Sequence, residues 1–432
     1  MRRIGDTFDA ITACCGAAVG AVALALPITY AWSGESTSYR LAARHTVVQR
    51  GAAIGVIVAA TVAVLVTTFT RPATAWAVAL AGSFGLFVNH LAARHTTAPE
   101  VLTTQDYVDA ICGGILLGAL GAAALRRPLP AFGFALGSVG FFVFGDLAEF
   151  LDIQAMDPYA VMETPPTWLI SVAVGLVLLS AMGNAVRRGQ VHDPQERVEL
   201  PITPILAALV FALPVLVGTE WLSRQYDRPG GHTIDITLAV IATVIAATVS
   251  AMLLPRRDGV AILLAAAIVP ASDALGPTPR PDWMLAAVLV ATGLGIVAGF
   301  KAPVPGFGLF MVGALSVFAI VVAPYDNTAM YATGSIALAF IAGYCCGCVR
   351  PCYVPSGVLA ISALLLPSIV TAMPEEGDLP VRDAMAGVGT AGKTALAITI
   401  GCALALAGLY RLRPPSLPRP LAPAPTGAVA DI

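Results

Sequence analysis

Three ionisable side chains stand where apolar sequence surrounds them: Lys393, Asp146 and Glu149. Lys393 lies in the run that ends at Tyr410. At ~1.5 Å per helical residue it is ~25 Å from that end, inside the far leaflet or at its edge. Asp146 and Glu149 are spaced to share one helix face, which Asp152 continues. Counted from Pro128, Asp146 reaches a depth much like that of Lys393. A charge at the centre of a membrane helix costs ~2.5–3.5 kcal/mol and turns toward the protein interior unless it is neutralised. Lys393 therefore either snorkels to headgroups on its long stem or lines a cavity for an anionic group such as a phosphate. Asp146 and Glu149 either form the acidic end of a helix, or take up a coupling proton, or pair with Lys393.

Other motifs carry less chemistry. Gly387-Val-Gly-Thr-Ala-Gly-Lys393-Thr394 fits the phosphate-loop pattern G-x-x-x-x-G-K-S/T. That pattern needs a preceding strand and a water-exposed anion cradle, and Pro380 to Ala386 has no strand character. Cys345, Cys346, Cys348 and Cys352 lack the two separated C-x-x-C pairs of a structural zinc site. They read as reduced, small, helix-packing residues, as do Cys14 and Cys15. His45, His90, His95 and His232 fall near the ends of apolar runs, where a polar ring is solvated. No paired catalytic groups converge, so no enzyme activity, cofactor or metal is expected.

The elements that must position these residues are membrane helices. The chain is 57% apolar with only 12% charged residues, about half the charge of a soluble domain. Its mean hydropathy is +0.82. Apolar runs long enough to cross a ~30 Å core recur along its length. A transmembrane β-barrel would alternate instead. Spans are predicted at 11–32, 47–69, 74–93, 107–125, 129–150, 167–186, 202–222, 234–254, 259–275, 283–300, 304–323, 329–348, 355–373 and 385–410. This is an all-α polytopic membrane protein of about fourteen helices in seven hairpins. Arg2-Arg3 precedes a run too long for a signal peptide, so an uncleaved first helix is expected.

Charge orients the spans. Arg71, Arg126-Arg127, Arg187-Arg188, Arg256-Arg257, Lys301, Arg350 and Arg411 all fall in turns on one side. Glu35, Glu100, Asp157, Asp227, Asp326 and Glu375 occupy the other. Retention of Lys and Arg in short cytoplasmic loops places both termini in the cytoplasm. Only Lys301 and Lys393 among the 24 basic residues are lysine. This bias points to a GC-rich, actinobacterial-like genome and hence to a bacterial cytoplasmic (inner) membrane.

An internal repeat is also visible. Arg126-Arg-Pro-Leu-Pro-Ala-Phe-Gly-Phe134 recurs as Lys301-Ala-Pro-Val-Pro-Gly-Phe-Gly-Leu309, sharing a basic residue and the Pro-x-Pro-x-Phe-Gly frame, and both open a span. His45-Thr46 and His232-Thr233 open two others. These pairs set helices one to six against helices seven to twelve, a 6+6+2 plan. The corresponding units are 1–188, 189–350 and 351–413, followed by a Pro/Ala-rich tail, 414–432, expected to be disordered. Gly133, Gly137 and Gly140 give helix five a small-residue contact face.

Fourteen spans, cytoplasmic termini and a 6+6+2 plan resemble the lipid-linked oligosaccharide flippases, the Wzx- and MurJ-like branch of the polysaccharide exporters. The resemblance covers the whole chain as architecture and carries no diagnostic motif. It implies movement of an anionic polyprenyl-linked saccharide across the bilayer. A second reading is a major-facilitator-like exporter, although Phe69-Thr-Arg-Pro-Ala73 lacks that family's Gly/Asp/Arg-rich loop. A third is a non-transporting subunit of a membrane complex, like the EccD-type components of secretion machines. The partners expected are the lipid bilayer, a lipid-linked saccharide or other membrane-complex subunits, and no nucleic acid.

Overall fold

The computed structural model describes residues 2–32, 38–69, 72–93, 99–144, 165–186, 202–226, 232–275, 282–322, 328–349, 351–373 and 389–413. Among these residues it holds fourteen α-helices and no strand. They are α1 (Arg2–Trp32), α2 (Ser38–Phe69), α3 (Pro72–Ala93), α4 (Pro99–Ala124), α5 (Pro128–Phe144), α6 (Thr167–Val186) and α7 (Thr203–Tyr226). Then follow α8 (Thr233–Leu253), α9 (Gly259–Asp273), α10 (Asp282–Lys301), α11 (Pro305–Val322), α12 (Thr328–Cys348), α13 (Val354–Ala363) and α14 (Thr390–Leu412). A 3-10 turn, Ile369–Ala372, sits between the last two. Eleven helices are long and apolar enough to cross a membrane, while α5, α9 and α13 contribute shorter apolar stretches. Each predicted span has its helix, and the chain is a multi-pass helical membrane protein.

Several helices depart from the predicted boundaries: α2 starts at Ser38 and α4 at Pro99, ahead of the predicted 47 and 107, and α1 and α13 differ for identifiable physical reasons. The first was expected to start near residue 11, where the apolar run begins. In the structure α1 starts at Arg2 and carries both carboxylates within the helix. They are tolerated because Arg127 reaches Asp6 at 2.5 Å and Asp9 at 2.6 Å. The span predicted over 355–373 is broken. Pro367 has no N–H and disfavours helix in the residue before it, so α13 closes at Ala363 and resumes as the 3-10 turn.

The helices pack in two sets. In the first, α1 runs along α4, α5 and α6, α2 along α4, and α3 along α4 and α6. Adding eight to each number reproduces the pattern. α9 meets α12, α13 and α14, α10 runs along α12, and α11 meets α12 and α14. The seams between the sets exchange in the same way: α2 on α13 is matched by α10 on α5, and α4 on α13 by α12 on α5. The pair α7–α8 lies outside this pattern, with α7 on α2, α13 and the 3-10 turn and α8 on α9 and α14. A shift of six helices would require α7 to run along α11 as α1 does along α5, and it does not. The Pro-x-Pro-x-Phe-Gly frame opens α5, at the seam, and α11, which exposes Phe310 and Val321. Proline at a helix start and a basic stop suit any turn at this end, so the motif marks turn chemistry.

Close backbone approach fixes the corresponding pairs. A Cβ on Gly114 or Gly118 of α4 would overlap the carbonyl oxygens of Gly55 and Ala59 in α2. At the equivalent place, Gly343 and Gly347 of α12 press on the carbonyls of Thr292 and Ile296 in α10. Small residues four apart permit such contact, where packing rather than hydrophobic burial drives helices together in lipid. On α5, Gly133 and Gly137 meet the carbonyls of Ala10 and Cys14, using the small-residue face predicted there. Gly118→Val should therefore destabilise the protein by about 1–3 kcal/mol, the range for overpacking. Gly175→Ala, with nothing within 4 Å of its added methyl, should not. Thermal unfolding of the purified variants checks the contrast.

Candidate functional site

The most unusual polar arrangement inside the bundle lies where α13 breaks. α9 and α13 both rise from the end that carries the basic turns. Asp273 closes α9, and the break follows Ala363 by one residue. At ~1.5 Å per residue both lie about 15–21 Å from that end, well inside a ~30 Å core. The last turn of α13 tightens as the N–H groups of Leu364, Leu365 and Leu366 donate to Ile361, Ser362 and Ala363 at 3.2, 3.0 and 3.3 Å. Ser368 then restarts the chain. Its hydroxyl oxygen accepts from Val370 N–H at 3.1 Å, and its carbonyl accepts from the Thr371 hydroxyl at 2.7 Å. The Ser368 hydroxyl and N–H also face the Asp273 carboxylate. The other carboxylate oxygen, Oδ2, is buried with no hydrogen-bond partner among the described residues.

A second polar contact joins the hairpin to the first set at the opposite end of α2 from Phe69. The Arg50 guanidinium donates to Glu220 of α7 through Nε at 2.7 Å and a terminal nitrogen at 3.1 Å. Arg224, one turn further along α7, adds a longer contact at 3.8 Å. The two groups are unequally covered, with side chains 45% and 14% exposed.

At the basic end the two sets use parallel devices. Arg127, in the α4–α5 turn, grips Asp6 and Asp9 at the start of α1, and Asn184 of α6 donates to Asp9 at 3.1 Å. Eight helices on, Asp258 before α9 accepts from the N–H groups of Cys352 and Tyr353 in the α12–α13 turn, at 2.8 and 2.9 Å. Burial pushes the Asp258 carboxyl up, against the pull of those two donors. Each device ties the first helix of a set to the turn between its fourth and fifth.

The residues singled out from sequence fare differently. Lys393 is exposed on α14, on the face it shares with Ile400 and Leu404, which are 53% and 71% exposed. Asp146 and Glu149 lie outside the described residues. Gly389 begins α14 with φ 71°, which suits the glycine, and no described strand precedes it. His90, expected to be solvated, is 3% exposed. It stands 3.5 Å from Asp109, which also accepts from Asn89 at 2.9 Å. Cys345 and Cys348 are buried and Cys352 is exposed, and no cluster fit for a metal occurs among the described residues. Sequence reading passed over Asp273, Ser368, Arg50 and Asp109. The available signal was Pro367-Ser368 inside an apolar span, which marks a break.

The Arg50–Glu220 contact yields a direct prediction. Arg50→Glu or Glu220→Arg alone should lower stability by about 1 kcal/mol, modest because Arg50 is solvated. The double reversal should recover most of that loss in the same thermal assay.

No family model matches the sequence, and no curated protein sequence matches it. Solved structures do resemble the fold. An auto-inhibited POT family peptide transporter matches with a TM-score of 0.53 and 12% identity, over 98% of this chain and 99% of its own. A proton:xylose symporter of the major facilitator superfamily matches with a TM-score of 0.52 and 12% identity, over 96% of this chain and 97% of its own. A second POT peptide transporter, in complex with alafosfalin, gives 0.51 and 13% over 95% of each. At such identity the likeness concerns fold alone, and the fold of this chain is that of the major facilitator and POT transporters.

Proposed function

We propose that this protein is a secondary transporter that works by rocking two six-helix units, α1–α6 and α9–α14, about their shared seam. The division is 6+2+6, with α7–α8 as an inserted hairpin, in place of the 6+6+2 plan and its boundaries at residues 188 and 350. The observation that carries this reading is the exchange of seam contacts, α2 on α13 with α5 on α10, and α4 on α13 with α12 on α5. Parallel halves related by an axis along the membrane normal are a recurring transporter plan, with the substrate site near the midplane between them. The likeness to a peptide transporter and a sugar symporter supports the same reading. The basic residues support a cytoplasmic position for the α4–α5 and α12–α13 turns, in what we read as a bacterial inner membrane.

This reading favours a major-facilitator-like exporter over a lipid-linked oligosaccharide flippase. The flippase resemblance rests on the 6+6+2 plan, and an anionic glycan calls for cations in the cavity, whereas Lys393 is exposed on α14. In the proposed state the cytoplasmic side of the seam is shut. Gly121 of α4 is packed against Val358 of α13, and Gly357 against Leu125 and Pro351. Opening requires these contacts to part.

Spin labels on Leu129→Cys and on the native Cys352, both exposed, report the separation of the two units at this end. In the reconstituted protein two distance populations are expected, their ratio changing with pH or ion gradient. One narrow distribution under every condition would contradict rocking and favour a fixed membrane scaffold.

A further inference from the structure

α11 and α12 pack side by side, and between them they leave a slot of about 270 Å³. It is lined by Phe307, Phe310, Ala314 and Phe318 of α11 and by Gly334 and Ala337 of α12. Rings thus alternate with residues too small to fill the space between them. Phe307 and Phe310 are 48% and 70% exposed, and α11 packs against α9, α12 and α14 of its own unit. The slot therefore opens toward lipid. Its polar side chain is that of Thr333, whose hydroxyl donates to the Ala329 carbonyl at 2.8 Å. With that hydroxyl satisfied, the lining suits hydrocarbon better than any polar solute.

One end of the slot carries a cation. α10 ends at Lys301, and the turn after it is pinned to α12. The Tyr344 hydroxyl donates to the Ala302 carbonyl at 2.7 Å and accepts from the Val304 N–H at 3.3 Å. Phe307 stands edge-on to the same tyrosine ring, with centroids 5.7 Å apart. Lys301 is thereby held near the foot of the slot. It is exposed and makes no ion pair among the described residues. Arg127, Arg257 and Arg413, at the same end, direct donors to carboxylates or carbonyls within the protein. From Phe307 to Phe318 the slot follows α11 for ~16 Å at ~1.5 Å per residue, about one leaflet of a ~30 Å core.

We propose that this slot binds one acyl chain of an anionic phospholipid from the cytoplasmic leaflet, with the phosphate at Lys301. Two independent features select the two halves of that ligand. A leaflet-long apolar lining calls for hydrocarbon, and an exposed cation at its foot calls for negative charge. Cytoplasmic leaflets are anionic, and basic pockets between helices on that side recruit such headgroups. The headgroup contact is solvated and hence weakened by salt, whereas burial of the chain is not. Gly334 gives the slot its shape: a Cβ there would come within 2.9 Å of Phe318 and 3.2 Å of Leu275. The site requires neither the rocking motion nor any particular cargo.

Fluorescence quenching in bilayers tests this. Phe310→Trp puts a reporter in the slot of the reconstituted full-length protein, and the parent protein supplies the background from its native tryptophans. Bilayers mix phosphatidylglycerol with phosphatidylcholine, and one lipid or the other carries bromine on its acyl chains. The reporter should show about a fivefold preference for phosphatidylglycerol at low salt, falling as salt rises. Lys301→Gln in the same background should bring the ratio to parity. Ala314→Phe should do so too, since it fills the slot from an exposed position where a larger side chain does not disturb folding. Equal quenching by both lipids without these changes, or a preference that survives Lys301→Gln, would overturn the site. So would a preference lost in Lys301→Gln but kept in Ala314→Phe, because the headgroup would then be held with its chain elsewhere. Protection of the reporter from both lipids would overturn it as well, by showing that another helix, such as one from a second copy of the chain, covers the slot. None of these readouts needs transport, so failure here is separable from failure of the rocking motion.

Discussion

Within lipid every backbone N–H and C=O must find its partner inside the protein, and this constraint organises the chain. Fourteen helices meet it locally. They are then held together less by apolar burial, since lipid is as apolar as leucine, than by close fit. That is why glycines occur where α4 meets α2 and where α12 meets α10, each with its Cα against a neighbouring carbonyl. The same need makes the exceptions informative. α13 gives up its ladder at Leu364 in a part of the molecule that excludes solvent, and the acidic end of α9 lies against it.

Charged groups follow a related logic. Those at the basic end tie each set into a unit: Arg127 with Asp6 and Asp9, and Asp258 with the start of α13. They act within the sets and do not cross the seam. Arg50 and Glu220 instead join the first set to the hairpin, which itself leans on α9 and α14 of the second. The hairpin thus touches both sets on one flank only.

Much of the fold was legible in the sequence. Apolar runs and basic turns placed all fourteen helices, because segment length and charge are what a bilayer selects. The repeat was harder to read. Pro-x-Pro-x-Phe-Gly suits any helix start at a basic turn, and in the proposed 6+2+6 division the corresponding contacts lie at spaced small residues such as Gly114/Gly118 and Gly343/Gly347. Among the many glycines of this chain such pairs are not distinctive until contacts are known. The site was least legible. Lys393 drew attention by its isolation, and it is exposed on α14. Asp273 sits at the end of a short run and resembles an ordinary loop acid until Ser368 is brought beside it from ninety-five residues away.

The proposed mechanism depends on which helices form the second unit. An experimental structure by cryo-electron microscopy in nanodiscs, at a resolution that traces side chains, decides it most directly. The 6+2+6 division requires α13 on α2 and α4, α10 on α5, and a turn opened at Leu364–Pro367. A second unit built from α7–α12, with α13 continuous through Pro367, would contradict it.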